Sequence, residues 1–84
     1  MSMYSKETYA AMLDQMLTQE LMFISTYASE HNIRSAMKRV LGCLIKKGIF
    51  KSYSRLVLDE NLNVHITFTD VDNSTFDITL YYGQ

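Results

Sequence analysis

The sequence predicts an α+β fold: two or three N-terminal helices packed on one face of a three-stranded antiparallel β-meander. Three observations carry this. Apolar residues recur at helical spacing up to about residue 48, and beyond residue 55 they alternate one by one. Between the two patterns stands Gly48, preceded by Lys46 and Lys47. A glycine just past a helix end, with cations in the last turn, satisfies the free carbonyls and the negative dipole end. The chain of 84 residues suits one domain, 1–84, with a helical part over 5–48 and a meander over 55–82.

The first helix starts at Ser5, whose hydroxyl can accept from free N–H groups, with Glu7 at the positive dipole end. Tyr9, Met12, Leu13, Met16 and Leu17 then follow at helical spacing. Leu21, Met22, Phe23 and Ile24 are apolar all round, as in a segment buried on several sides or resting on a partner. One helix over about 6–28 and two shorter helices bending near Thr18–Glu20 both fit. "SEHN" at 29–32 reads as a joint, with Asn32 as the cap of the next helix. From there Ile33, Met37, Val40, Leu41, Leu44 and Ile45 share one face, opposite Arg34, Ser35, Lys38, Arg39, Gly42 and Lys46. After Gly48, Ile49 and Phe50 are expected to fold back on the helix.

In the tail, "RLVL" before "DEN" reads as a short strand. Leu62, Val64, Ile66 and Phe68 alternate with polar residues, as do Phe76, Ile78, Leu80 and Tyr82, and "DVDNS" between them reads as a hairpin loop. The apolar face of this meander would lie on the helices, leaving two sheet edges that a short chain seldom covers.

A chain this short buries only about 60–65% of its unfolded surface, so net stability on the order of 5 kcal/mol is expected. The net charge of −1 gives nothing global to attract nucleic acid or an anionic membrane. The distribution is uneven: after Lys6, every basic residue lies between Arg34 and Arg55, and the last thirty residues carry Asp59, Glu60, Asp70, Asp72 and Asp77. The single cysteine, Cys43, fits a reducing compartment. "MSMYSKE" lacks the apolar core of a signal peptide, and the apolar run at 21–24 is far too short to span a bilayer. A cytoplasmic location, with no membrane association, is the expectation.

Enzyme chemistry finds little support. His31 and His65 with one cysteine do not make a zinc set. There is no nucleophile elbow and no glycine-rich phosphate loop. The acidic residues cluster at turns, where solvated caps account for them, and Cys43 reads as a small packing residue. No catalytic residue, cofactor or metal is expected.

Two binding surfaces remain. Arg34, Lys38, Arg39, Lys46 and Lys47 could line a groove of nucleic acid or face an acidic partner. The surroundings are similar to a winged helix, with "LIKKGI" handing over to a hairpin, but the helix is about a turn too long and the wing lacks outward Lys or Arg. Solvated and capping groups explain the same residues. Leu21, Met22, Phe23 and Tyr81 are the candidates for contact with a protein partner, and the methionines suit an adaptable apolar surface.

Residues 33–82 resemble the small C-terminal domain of contractile-phage tail sheath proteins, and related endings in baseplate proteins. The matching stretches are "IRSAMKRVLGCLIKKGIF", "SRLVL", "NVHITF" and "TFDITLYY". The large sheath body has no counterpart here. The resemblance implies a small structural or assembly protein of a phage or mobile element, residing in the virion or host cytoplasm. It would join neighbours or copies of itself through exposed strand edges, backbone bonds giving affinity and alternating side chains specificity. A winged-helix-like nucleic-acid regulator is the alternative, and a small inhibitor docking on a host protein through Leu21–Ile24 is a third.

Overall fold

The computed structural model describes residues 2–22 and 29–81. Within them the order is α1 (Lys6–Met22), α2 (Glu30–Lys46), β1 (Phe50–Leu58), β2 (Val64–Asp70) and β3 (Thr75–Leu80). The strands form one antiparallel sheet in the order β1-β2-β3, and both helices cover one of its faces. This is the α+β arrangement that the change of period predicts. Thr18–Glu20 lie inside α1 without a break, while Phe23 and Ile24 fall outside the described residues.

Helix ends follow from side-chain chemistry. The Thr8 N–H donates to the Ser5 hydroxyl at 3.1 Å, as expected of an N-cap. In α2 the expected cap is displaced. Ser29, in extended conformation, accepts from the Asn32 N–H at 3.2 Å, so the helix begins at Glu30 and Asn32 lies inside its first turn. A serine three residues earlier can satisfy the same free donors, which leaves Asn32 nothing to cap. The C-terminus is a Schellman stop: the Ile49 N–H reaches the Leu44 carbonyl and the Gly48 N–H the Ile45 carbonyl, both at 3.0 Å. Gly48 has φ +76°, a conformation that costs any other residue a Cβ clash.

Tyr9, Leu13 and Leu17 of α1 and Ile33, Ala36, Met37, Val40, Leu41 and Leu44 of α2 are buried against Phe50, Leu58, Val64, Ile66, Phe68, Ile78 and Leu80 of the sheet. Each fully buried Leu, Ile or Phe contributes about 1.5–3 kcal/mol through its removal from water. Tyr9 is the hub: its ring centroid lies 5.6, 5.4, 5.2 and 5.1 Å from those of Tyr4, Phe50, Phe68 and Phe76, all edge-on. Phe50 stacks on Phe68 at 4.0 Å.

Three boundaries differ from the sequence expectation. β1 begins at Phe50 and not at Arg55, because the polar stretch Lys51–Ser54 continues the strand without alternation. Its pairing with β2 slips twice, between Phe50 and Ser52 and between Tyr53 and Arg55, and these bulges erase the period-two signal. Leu62 belongs to the β1–β2 turn and not to β2. It has φ 64°, and its N–H bonds the Asp59 carbonyl at 3.0 Å. β3 ends at Leu80, and Tyr82 lies outside the described residues.

Candidate functional site

Folding separates the five basic candidates into two groups. Arg34 is engaged, donating to the Glu30 carboxylate at 3.2 Å and to the Leu56 carbonyl of β1 at 3.4 Å. Arg39 reaches across to Glu20 of α1 at 3.3 Å. Lys38, Lys46 and Lys47 are exposed, with no ion pair among the described residues. The apolar candidates separate too. Leu21 is half-buried against the core, Met22 is 76% exposed, Tyr81 is 68% exposed, and Phe23 lies outside the described residues.

Not all acidic residues are solvated caps. Asp70 is fully buried. The Tyr9 hydroxyl donates to its Oδ2 at 2.8 Å, the Met3 N–H donates to the same oxygen at 3.3 Å, and the Asp72 and Ser74 N–H groups donate to Oδ1 at 3.0 Å. Burial raises the Asp70 pKa, but the Tyr9 hydroxyl and the three N–H groups outweigh it, and the carboxyl is held below the ordinary aspartate value. Tyr9 responds in the opposite sense. Burial, then its bond to the charged Asp70, pushes the phenol up to about 12. The pair ties the N-terminal segment, α1 and the β2–β3 turn together, a structural role that the turn motif conceals in the sequence.

A second polar cluster sits on the sheet face away from the helices. His65 Nδ1 lies 3.0 Å from the Thr79 hydroxyl, and Nε2 lies 3.0 Å from Asp59 Oδ2. Asp59 also accepts the Asn61 and Asn63 N–H groups at 2.9 and 3.0 Å. The bond to His65 comes first among the causes that lower the Asp59 pKa. Hydroxyl, imidazole and carboxylate in series have the connectivity of a nucleophile relay. However, the hollows that Thr79 lines are walled by α1 and include neither His65 nor Asp59. Through Asp59 the cluster ties His65 of β2 to the β1–β2 turn. Among the described residues, no group of three His, Cys, Asp or Glu could hold a metal ion, and no helix is long and apolar enough to cross a membrane.

The two sheet edges are unlike. The Asp59 N–H bonds the Asn63 carbonyl, which makes Val57–His65 and Arg55–Thr67 the bonded pairs and turns the backbone groups of Leu56 and Leu58 outward. On this edge Arg34 occupies the Leu56 carbonyl, two bulges break the ladder, and Lys51 and Arg55 add charge. These are devices that keep an edge from pairing. On the other edge, the Asp70 N–H to Ser74 carbonyl bond sets the alternation, and the register is unbroken from Val64–Leu80 to Thr69–Thr75. The N–H and C=O groups of Thr75, Asp77 and Thr79 therefore point away from β2. Alongside runs a groove with two adjoining hollows of about 330 and 350 Å³, between α1 and β3. Asp77, Ile78 and Thr79 all line the second hollow, so it follows the strand's edge and not one of its faces. Side-chain alternation alone cannot reveal such an edge, because it depends on which strand lies outside and what lies beside it.

No family model, curated protein or solved structure matches this chain.

Proposed function

We propose that this chain is a non-catalytic protein-interaction or assembly module that takes up an extended segment of a neighbouring protein as an added strand. The observation that supports this is the β3 edge: six residues in unbroken register, with outward amides and carbonyls and a groove beside them. Backbone pairing of this kind requires only an extended chain from the partner. The resemblance of residues 33–82 to tail sheath and baseplate endings implies the same mode of joining neighbours.

A second reading draws on Lys38 and Lys46 of α2 and on Lys47 just past its end, exposed cations that could meet phosphates. Against it stand the net charge of −1 and the engagement of Arg34 and Arg39 by carboxylates. The test offers the protein basic, neutral and acidic capped peptides of strand-forming sequence, and separately a DNA duplex, while amide hydrogen exchange is followed. At least one peptide is expected to slow exchange along a sheet edge, at Thr75, Asp77 and Thr79 or at Leu56 and Leu58. Replacing Lys38 and Arg39 by Glu should leave that protection in place. Failure of every peptide to protect an edge overturns the reading. A duplex complex that weakens by orders of magnitude between roughly 50 and 200 mM salt would put nucleic acid in its place.

A further inference from the structure

We infer that the groove between α1 and β3 binds an extended, lysine- or arginine-bearing segment of another protein, which pairs with β3 as a fourth strand. The inference rests on the proposed strand-addition function and specifies its edge and its ligand.

Room comes first. The helix side of the groove is built from Ala10 and Ala11, whose short side chains leave the hollow beside Thr79 and Leu80 open. A strand added at this edge would lie about 4.8 Å from β3, within reach of the outward groups of Thr75, Asp77 and Thr79. Charge comes second. Glu7 and Asp77 line the second hollow together with Lys6, two carboxylates to one amine. An added strand therefore meets Glu7 on the helix side and Asp77 on the strand side, the Asp77 carboxylate also accepting a hydrogen bond from the Thr67 hydroxyl of β2. Tyr81 lines both hollows and is 68% exposed, and an exposed aromatic ring can hold an ammonium or guanidinium. These three features favour the same occupant.

A second copy of the chain fits less well. Its basic edge is β1, where bulges interrupt the ladder and Arg34 already holds an outward carbonyl. Two β3 edges related by a two-fold axis centred on Asp77 would set Asp77 opposite its own copy, a like-charge pair that weakens a sheet.

The experiment uses the full chain and three capped peptides that alternate Val with Lys, Ser or Glu. The Lys peptide is expected to bind at least about tenfold tighter than the Glu peptide at low salt, and to lose that preference as salt screens the exposed carboxylates. It should slow exchange at Thr75, Asp77 and Thr79. The double variant Glu7→Gln with Asp77→Asn, which changes no buried group, should bring the peptides to within a few-fold of one another. Equal affinity of the three peptides, or protection at Leu56 and Leu58 instead, overturns the inference and leaves strand addition standing. Protection by no peptide overturns both. Light scattering that rises with protein concentration alone, and falls when Lys51 and Arg55 become Glu, would assign the groove to a second copy and overturn the inference.

Discussion

Replacing Tyr9 by Phe removes one oxygen from the centre of the fold and leaves the ring contacts with Tyr4, Phe50, Phe68 and Phe76 in place. What is lost is the donor 2.8 Å from Asp70 Oδ2. That oxygen retains only the Met3 N–H, at 3.3 Å, inside a side chain with no solvent exposure. A hydrogen bond to a charged, buried acceptor is worth about 1.5–3 kcal/mol. Against a total on the order of 5 kcal/mol, the variant should lose a third or more of its stability, and its Tm should fall by about 10 °C or more. The cost should also depend on pH. The folded pKa of Asp70 is depressed, so its contribution is present above the unfolded value of about 3.9 and disappears as pH falls through the folded value. Without the hydroxyl, one of the groups that lower the folded pKa is gone, so it climbs and the acid limb of the stability curve flattens. Urea unfolding of both proteins at pH 7 and near pH 3 measures this. A cost under about 0.5 kcal/mol at pH 7, or one of equal size at both pH values, would refute a charged Asp70 held by Tyr9.

Three further outcomes are expected. Gly42 lies inside α2 with nothing within 4 Å of an added Cβ, so Gly42→Ala should raise the urea midpoint by the equivalent of about 1 kcal/mol. Gly48→Ala, at φ +76°, should lower it by about the same amount. In alkali the sign for Tyr9 is reversed relative to Asp70. Its folded pKa is raised to about 12, so the stability it gives is complete below the unfolded value near 10 and is lost between about pH 10 and 12. At about 1.4 kcal/mol per unit this limb amounts to roughly 2–3 kcal/mol, and it should be absent from Tyr9→Phe in urea titrations at pH 9–12. Asp59→Ala should lower the urea midpoint at pH 7 and have little effect below the ordinary aspartate range, because the depressed pKa of Asp59 gives stability only above it.

Elements whose signal is local were legible in the sequence. Both α2 faces, the Gly48 stop and the alternation of β2 and β3 depend on period and capping, which a single segment carries by itself. The first half of β1 was not, since Lys51–Ser54 is paired by the sheet and kept exposed by its bulges, with no apolar beat to mark it. The α2 start moved for a similar reason: Ser29 and Asn32 are both good caps, and only the path of the chain decides between them. The burial of Asp70 is not legible, because a turn aspartate and a buried one have the same sequence neighbours. What distinguishes it is Tyr9, 61 residues away in the chain. The candidate groove lay further out of reach, since Glu7, Ala10 and Ala11 meet Asp77 only after α1 has crossed to the β3 side of the sheet.

The charge polarity along the chain is not the polarity of the folded surface. Of the five acidic residues in the tail, Asp59 and Glu60 sit at the β1–β2 turn, Asp70 is buried and Asp72 is in the hairpin loop, so only Asp77 lies on β3. On the helix side of the groove, Glu7 stands beside Lys6. The basic block fares differently. Arg34 and Arg39 are drawn into ion pairs, and Lys38, Lys46, Lys47, Lys51 and Arg55 remain on the α2 and β1 flank. A chain of net charge −1 thus presents two flanks of opposite sign. Within a Debye length of about 8–10 Å each flank acts on a partner alone. Among the described residues, the edge with unbroken register, β3, is the one beside the acidic flank.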